Sequence, residues 1–345
     1  MRALVLNAGS TSLKLSLSEP SGTTVALPSL PEALERSEDF DVMIHRVVHG
    51  GDHQTPARID DSLLDELHAF VELAPLHQPP ALDVIEQCRR QLPGVEQYAV
   101  FDTAFHSTIP AAASTYAIPE RWRRRIRVYG FHGISHSWST HRVAEAAPDA
   151  RRLVIAHLGG GASLCAVRDG QSVMTTMGFT PLDGLVMATR SGVIDPGAVM
   201  WLAHHSNEDV LHVLERESGL LGLCGDADMQ AVLRRGDAGD LDALLALDVY
   251  LHRLVTSIGA CVACLGGIDA LVFTGGVGEG SSHIREVTCA RLEWLGARVR
   301  PSIGDLAGEV IELTDPGATV RTFMVHARED VEMVRLVSAL DDCDQ

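Results

Sequence analysis

The sequence predicts an α/β protein built from two domains. Three observations carry this. At 345 residues the chain exceeds one ordinary domain. Short β-type apolar runs alternate along it with stretches of helical periodicity. The architecture also restarts midway: each half opens with strand, small-residue turn, strand, a repeat of pattern rather than of residue identity.

The elements follow in order. Ala3-Leu4-Val5-Leu6 is a β-type run, Asn7 to Ser12 a hydroxyl-rich turn, and Leu13-Lys14-Leu15-Ser16-Leu17 an alternating second run. Val42 to Val48, containing His45-Arg46, is strand-like. Helical patterns over about 61–73 and 81–91 are joined by a Pro-rich stretch, 74–80. Gln97 to Phe101 is a strand ending at Asp102, and a helix is expected after Ser135. The second half repeats the opening with Leu153 to Leu158, the turn Gly159-Gly160-Gly161, and Ala162 to Val167. A long helix, about 240–265, leads to the strand Ala270 to Phe273 and a third small-residue turn, Gly275 to Gly278. A last strand over 320–325 precedes a helix from about 329. No low-complexity linker separates the halves, so closely packed domains with a cleft between them are expected, divided as 1–147, with 328–345 returning to it, and 148–327.

Composition narrows the function. A net charge of −18 argues against nucleic acid, which needs a basic face, and makes clustered cations informative. No run of about 18 apolar residues occurs and the N-terminus lacks a signal-peptide layout, so a cytoplasmic protein is expected. The 7 cysteines are scattered through apolar segments, which suits reduced buried thiols. Cys261-x-x-Cys264, with no second ligand pair nearby, reads as two small helix-core residues. Of 28 basic residues only Lys14 is a lysine, which suggests that its position needs a compact ammonium.

The three small-residue turns carry chemistry. Gly and Ser let backbone N–H groups converge on an anion, and three such turns at strand ends in an acidic chain favour a polyphosphate ligand. None is a P-loop, and none is a G-x-G-x-x-G opening a helix, so a dinucleotide fold is disfavoured.

The motifs then become specific. Asn7-Ala8-Gly9-Ser10-Thr11-Ser12-Leu13-Lys14 resembles the opening signature of acetate kinases. Further resemblances to that family, in family order, are His45 to Gly51, Phe101 to His106, Tyr129 to His136, Met177 to Gly192, and Phe273 to Glu279. The resemblance implies two RNase H-like domains of the actin and hexokinase type around a central cleft, the second domain binding nucleotide. It implies a homodimer and a reversible phosphoryl transfer between ATP and acetate that depends on Mg2+ or Mn2+.

Such chemistry makes physical sense of the residues. A carboxylic acid of pKa about 4–5 is already ionised, so its oxygen needs no general base. The difficulty is bringing one anion up to another, and catalysis becomes charge neutralisation and alignment. By the resemblance, Arg46 and Arg190 flank the transferring phosphoryl, His132 donates to its equatorial oxygen, and Asp102 aligns an arginine or the metal's water. Asn7 and Glu329 match the metal positions; locally Ala327-Arg328-Glu329-Asp330 differs from the usual Thr-Asn-Glu-Glu. Val48, Leu76, Phe179 and Pro181 would form the acid pocket, with Arg46 also facing the acid. One methylene is worth only about 1–3 kcal/mol, so propionate stays open beside acetate. Ser10, Ser12 and Lys14 would line the phosphate path. His157 with Gly159, Gly160 and Gly161 would be the phosphate loop. Gly275, Gly276, Val277 and Gly278 would lie against the base, and Asp228, Met229 and Gln230 against the adenosine. Small residues near the base leave room for adenine, so ATP is expected rather than pyrophosphate.

The chain also departs from the family. It is short between the first hairpin and Arg46, where a helical insertion is normal, and near 224–228. Gly160 and Gly280 each replace Asn, Gln78 replaces an Asn beside the acid pocket, and Gln230 replaces an Arg. Each lost Asn removes a hydrogen bond of roughly 0.5–1.5 kcal/mol. A pyrophosphate-using relative and a non-catalytic nucleotide-binding relative therefore remain as alternatives.

Overall fold

The computed structural model describes residues 1–9, 13–19, 22–74, 78–300 and 308–343. It divides into two compact units, Met1–Ser107 with Tyr129–Trp138 and Arg328–Gln345, and Thr108–Val128 with Ser139–Ala327.

In the first unit, β1 (Ala3–Ala8), β2 (Leu13–Ser18), β3 (Thr24–Leu27), β4 (Val42–Val47), β5 (Ala57–Arg58) and β6 (Glu96–Phe101) form one sheet of order β3-β2-β1-β4-β6-β5. β1, β4 and β6 are parallel neighbours, while β2 runs antiparallel to β1 and to β3. The parallel strands read as unbroken apolar runs because both faces of the sheet are covered. Leu4, Leu6 and Met43 pack on one side with Ala33, Leu34 and Cys88. Ala3, Val5, Ile44 and Val100 pack on the other with Ile134, Met333 and Val337.

The second unit repeats the plan. β7 (Arg152–Leu158), β8 (Ala162–Arg168), β9 (Gln171–Thr175), β10 (Ala270–Thr274), β11 (Val310–Glu312) and β12 (Arg321–Val325) are ordered β11-β12-β10-β7-β8-β9. β7, β10 and β12 are parallel and β8 is antiparallel to β7 and β9. Both sheets thus show the RNase H-like order of an antiparallel three-strand meander continued by parallel strands.

The expected helices appear as Asp61–Ala69, Gln78–Gln91, Gly133–Ala146, Leu241–Leu265 and Glu329–Cys343. Leu241–Leu265 is long and apolar enough, by composition, to cross a membrane. It is nevertheless a core helix, with Leu247, Tyr250, Leu251, Leu254, Ile258 and Cys261 buried on one face and the helix packed on β7, β8 and β9. Cys264 on this helix is exposed, so only Cys261 of the pair is a core residue, and the six described cysteines are free thiols.

Two elements depart from expectation. Gly275–Gly280 is a short helix that follows β10 directly, rather than a turn. The stretch before Arg46 is occupied by β3 and a six-residue helix, Leu30–Glu35, whose N-cap is the Ser29 hydroxyl.

Candidate active site

In the first unit, three neighbouring parallel strands deliver polar side chains at their carboxyl ends, where ligands of open α/β sheets bind. Asn7 lies near the end of β1, Arg46 near the end of β4, and Asp102 directly after β6. Arg46 Nε and Nη2 both donate to Asp102 Oδ2, at 3.0 and 2.6 Å, and Nη1 donates to Asn7 Oδ1 at 3.0 Å. Asn7 Nδ2 in turn donates to Glu329 Oε2 at 2.6 Å, and Glu329 lies 3.8 Å from Arg46 Nη1. Glu329 is the first residue of its helix, where a carboxylate is favoured by the helix dipole.

The electrostatics are those of a cation surrounded by carboxylates. Asp102 is 1% exposed, and burial pushes its carboxyl up while Arg46 pulls it down. Burial alone lowers the Arg46 guanidinium, but Asp102 and Glu329 together raise it above its ordinary value. Asp102 Oδ1 is buried and takes no hydrogen bond from Arg46, while the Ile134 backbone N–H helps pull the carboxyl down. A carboxylate with no cationic side chain on one of its oxygens, in a group with Asn7 and Glu329, is a fit for a hard cation or for water bound to one. Among the described residues no cluster of three or more His, Cys, Asp or Glu forms a closed metal cage. An ion here would keep several water or phosphate ligands, as magnesium does.

His132 is joined to this group through its chain neighbour Gly133. Its φ of +59° puts a non-glycine residue in the left-handed region, where strain marks functional positions. Gly133 holds it there: its N–H donates to the Asp102 carbonyl at 2.9 Å, and a Cβ on Gly133 would sit 2.1 Å from that oxygen. Lys14 is directly opposite Asn7 across the hairpin and exposed. Val48 is buried. Gln78 is fully buried and brackets the backbone, with Oε1 accepting from His49 N–H and Nε2 donating to the carbonyls of His49 and Leu67. Ser10, Ser12 and Leu76 lie outside the described residues.

The second unit gathers the rest. Arg190 Nη1 donates to the Pro181 carbonyl at 3.1 Å, and the Met187 N–H to the Arg190 carbonyl. Burial lowers the Arg190 guanidinium, opposed by the nearby Glu215 carboxylate. The turn is closed by Gly219 (φ +63°), where a Cβ would stand 2.2 Å from the Met187 carbonyl oxygen. Phe179 N–H donates to the Tyr116 hydroxyl at 3.0 Å, and a Cβ on Gly178 would strike that oxygen at 2.3 Å. The Ala188 N–H donates to the Gly160 carbonyl at 3.2 Å, so the Arg190 turn and the Gly159–Gly161 turn are neighbours.

The two glycine segments also meet. His157 and Thr274 are register partners on β7 and β10, and a Cβ on Gly159 would lie 3.8 Å from His157 Nε2 and 3.9 Å from Gly276 N. Gly160 and Gly276 are exposed, and a Cβ on either would meet nothing within 4 Å. Val277 is half-buried and Gly278 buried. Asp228 caps the helix Met229–Asp237, with Oδ1 accepting from Gln230 N–H; Met229 is buried and Gln230 exposed. The sequence carries no signal for Tyr116, a lone aromatic. It did offer one for Glu279, a single carboxylate closing a glycine run, whose contacts are taken up below.

A pair of RNase H-like units, one with a guanidinium and the other with glycine segments at the carboxyl ends of its parallel strands, defines the actin-like class of phosphotransferases. Within that class the profile described as the Acetokinase family matches residues 26–335. The chain is 44% identical over 306 residues to the acetate kinase of Streptomyces coelicolor, covering 86% of this chain and 75% of that one. It is 40% identical over 343 residues to the acetate kinase of Gloeothece citriformis, covering 95% and 85%. A solved propionate kinase from Francisella tularensis superposes with a TM-score of 0.89 at 32% identity, covering 97% of this chain and 98% of that one. The chain belongs to the acetokinase family.

Proposed function

We propose that the protein is an acetate kinase, transferring a phosphoryl group reversibly between ATP and acetate to give acetyl phosphate and ADP. The observation that carries this reading is the Asn7–Arg46–Asp102–Glu329 constellation, a guanidinium held in a fixed orientation by one oxygen of a buried carboxylate. Chemistry that joins two anions needs oriented positive charge more than a base.

In this reading Arg46 and Arg190 neutralise the phosphoryl oxygens as charge shifts to them. Their planar forks suit the planar transferring group better than an ammonium would. His132, strained into place, donates a hydrogen bond to an equatorial oxygen. Asp102 orients Arg46 and does not take the proton. Val48, Leu76, Phe179 and Pro181 wall the acid. Ser10, Ser12, Lys14, His157 and Gly159 to Gly161 hold phosphates, and Gly275 to Gly278 with Asp228, Met229 and Gln230 contact the nucleoside. Asn7, Glu329 and the Asp102 carboxylate would hold a divalent ion or its water, and such an ion would supply positive charge against the phosphates.

We place the domain assignment, 1–147 with 328–345 and 148–327, the cytoplasmic location and the homodimer in the same proposal. Exposed Val193, Met200, Trp201 and Leu211 on the second unit support a homodimer, since apolar side chains of this size are seldom left to water in such a group. A second reading, propionate as the preferred acid, is favoured by the high structural similarity to a propionate kinase. Trapping acyl phosphate as a hydroxamate tests both. Signal with acetate above propionate supports the first, the reverse order supports the second, and no signal with either acid in the presence of magnesium and ATP refutes the kinase.

A further inference from the structure

We propose that Glu279 is a positioning residue for the nucleotide, a role that rests on the reading of Gly275 to Gly278 as the nucleotide segment. The helix Gly275–Gly280 has the sequence Gly-Gly-Val-Gly-Glu-Gly. Each glycine costs about 1 kcal/mol relative to alanine in a helix interior, so this helix has no stability of its own. Its conformation is imposed from outside, and the contacts that impose it are specific.

Glu279 Oε1 accepts the N–H of Gly275 at 2.9 Å, closing the first amide of the helix with a side chain from its own last turn. Gly275 has φ +79°, and a Cβ there would sit 2.8 Å from the Leu158 carbonyl oxygen, so the entry to the helix is tight against the end of β7. At the other end, Arg285 Nη1 donates to the carbonyls of Gly278 and Glu279, each at 2.7 Å. Arg285 is 6% exposed, so this second clamp is sheltered from solvent.

The same carboxylate makes two further bonds. Oε1 accepts the N–H of Ala327 at 3.0 Å, and Oε2 lies 2.7 Å from His326 Nδ1. Ala327 is two residues ahead of Glu329, one of the residues proposed to hold the metal. Arg328 between them is tied to Thr24 Oγ1 and to Asp330. One carboxylate therefore ties the glycine segment to the chain at 326–327. Its contacts are to the backbone amides of Gly275 and Ala327 and to His326, so Glu279 acts through these groups.

The test compares Glu279→Ala with Glu279→Gln. Glutamine keeps an oxygen able to accept both amide N–H groups, whereas alanine removes it. The Ala variant is expected to weaken ADP binding by calorimetry, with magnesium present, about tenfold. It should raise the KM for ATP by a similar factor and leave the KM for acetate within twofold. The Gln variant should stay within threefold of wild type in all three. A residue serving only to hold the fold would lower Tm and the active fraction without separating the nucleotide constants from the acid constant. Wild-type ADP affinity in the Ala variant, or an equal rise in both KM values, overturns the proposal. If the wild-type protein makes no acyl phosphate, the kinase reading fails separately, and ADP affinity alone decides the role of Glu279.

Discussion

Arg46 spends two of its N–H groups on a single oxygen of Asp102, Nε at 3.0 Å and Nη2 at 2.6 Å, and none on the other. A guanidinium held only to anchor a carboxylate would be expected to fork across both oxygens. This arrangement instead fixes the plane of the guanidinium and turns Nη1 towards Asn7 and Glu329.

Removing Arg46 therefore has two consequences. Arg46→Ala should cut acyl phosphate formation by about 10³-fold, the scale seen for an arginine that stabilises phosphoryl transfer. It should also cost roughly 3–5 kcal/mol in urea unfolding, because Asp102 is left as an uncompensated buried charge. Adding Asp102→Ala should recover much of the stability and none of the turnover. A single variant with near-normal turnover would sink the proposed role of Arg46.

Arg190 should behave differently. Its side chain is held by the Pro181 carbonyl and touches Met187 Sδ at 3.6 Å, with the Glu215 carboxylate nearby. Burial already pushes the Glu215 carboxyl up, so in Arg190→Ala it can take a proton rather than remain an uncompensated charge, and Tm should fall by only a few degrees, equivalent to about 1 kcal/mol. Turnover should still drop by about 10³-fold. Arg190→Lys keeps the charge without the fork and should recover little activity. Loss of stability as large as that of Arg46→Ala would mean that the residue is structural.

Acid should unfold the first unit before it titrates the surface. His45 is 2% exposed and bonded to Gln97 Oε1, and His106 is 2% exposed beside the Phe131 carbonyl. Burial lowers the pKa of each imidazole to about 4. The unfolded imidazoles take up protons near pH 6.5 that the folded ones refuse. Stability is therefore whole above pH 7 and is lost as pH falls from about 6.5 towards 4. The loss is on the order of 3 kcal/mol for each histidine by pH 4. Urea midpoints measured from pH 7.5 to 4.5 should fall steadily, and His45→Gln should flatten part of that slope. A midpoint independent of pH across this range contradicts the burial argument.

The strands were legible because both sheet faces are covered, so β1, β4, β7 and β10 carry unbroken apolar runs. Asn7, Arg46 and Asp102 could be found because each ends or follows such a run inside a distinctive motif. The helices between Pro196 and Asp237 were not legible: they are 6 to 10 residues long, too short for a pattern to recur over several turns. The glycine helix Gly275–Gly280 contradicts its own propensity, and the side chains that impose it, Glu279 and Arg285, act through contacts that propensity does not encode. Tyr116 reaches Phe179 across 63 positions of sequence, a relation that only the tertiary structure creates.

Two adjacent glycines in that helix separate folding from binding. Gly275 has φ +79° and no room for a Cβ beside the Leu158 carbonyl, so Gly275→Ala carries both a left-handed backbone penalty and a clash. It should cost on the order of 1–3 kcal/mol or more and lower Tm. Gly276 has ordinary φ, is exposed, and a Cβ there meets nothing within 4 Å. Gly276→Val should therefore leave Tm within a degree or two. If the open space beside Gly276 receives the nucleotide base, the valine should raise the KM for ATP by about tenfold while the KM for acetate stays unchanged. Thermal melts and initial rates on the pair of variants check this, and a Gly276→Val protein with unaltered ATP kinetics would move the base elsewhere.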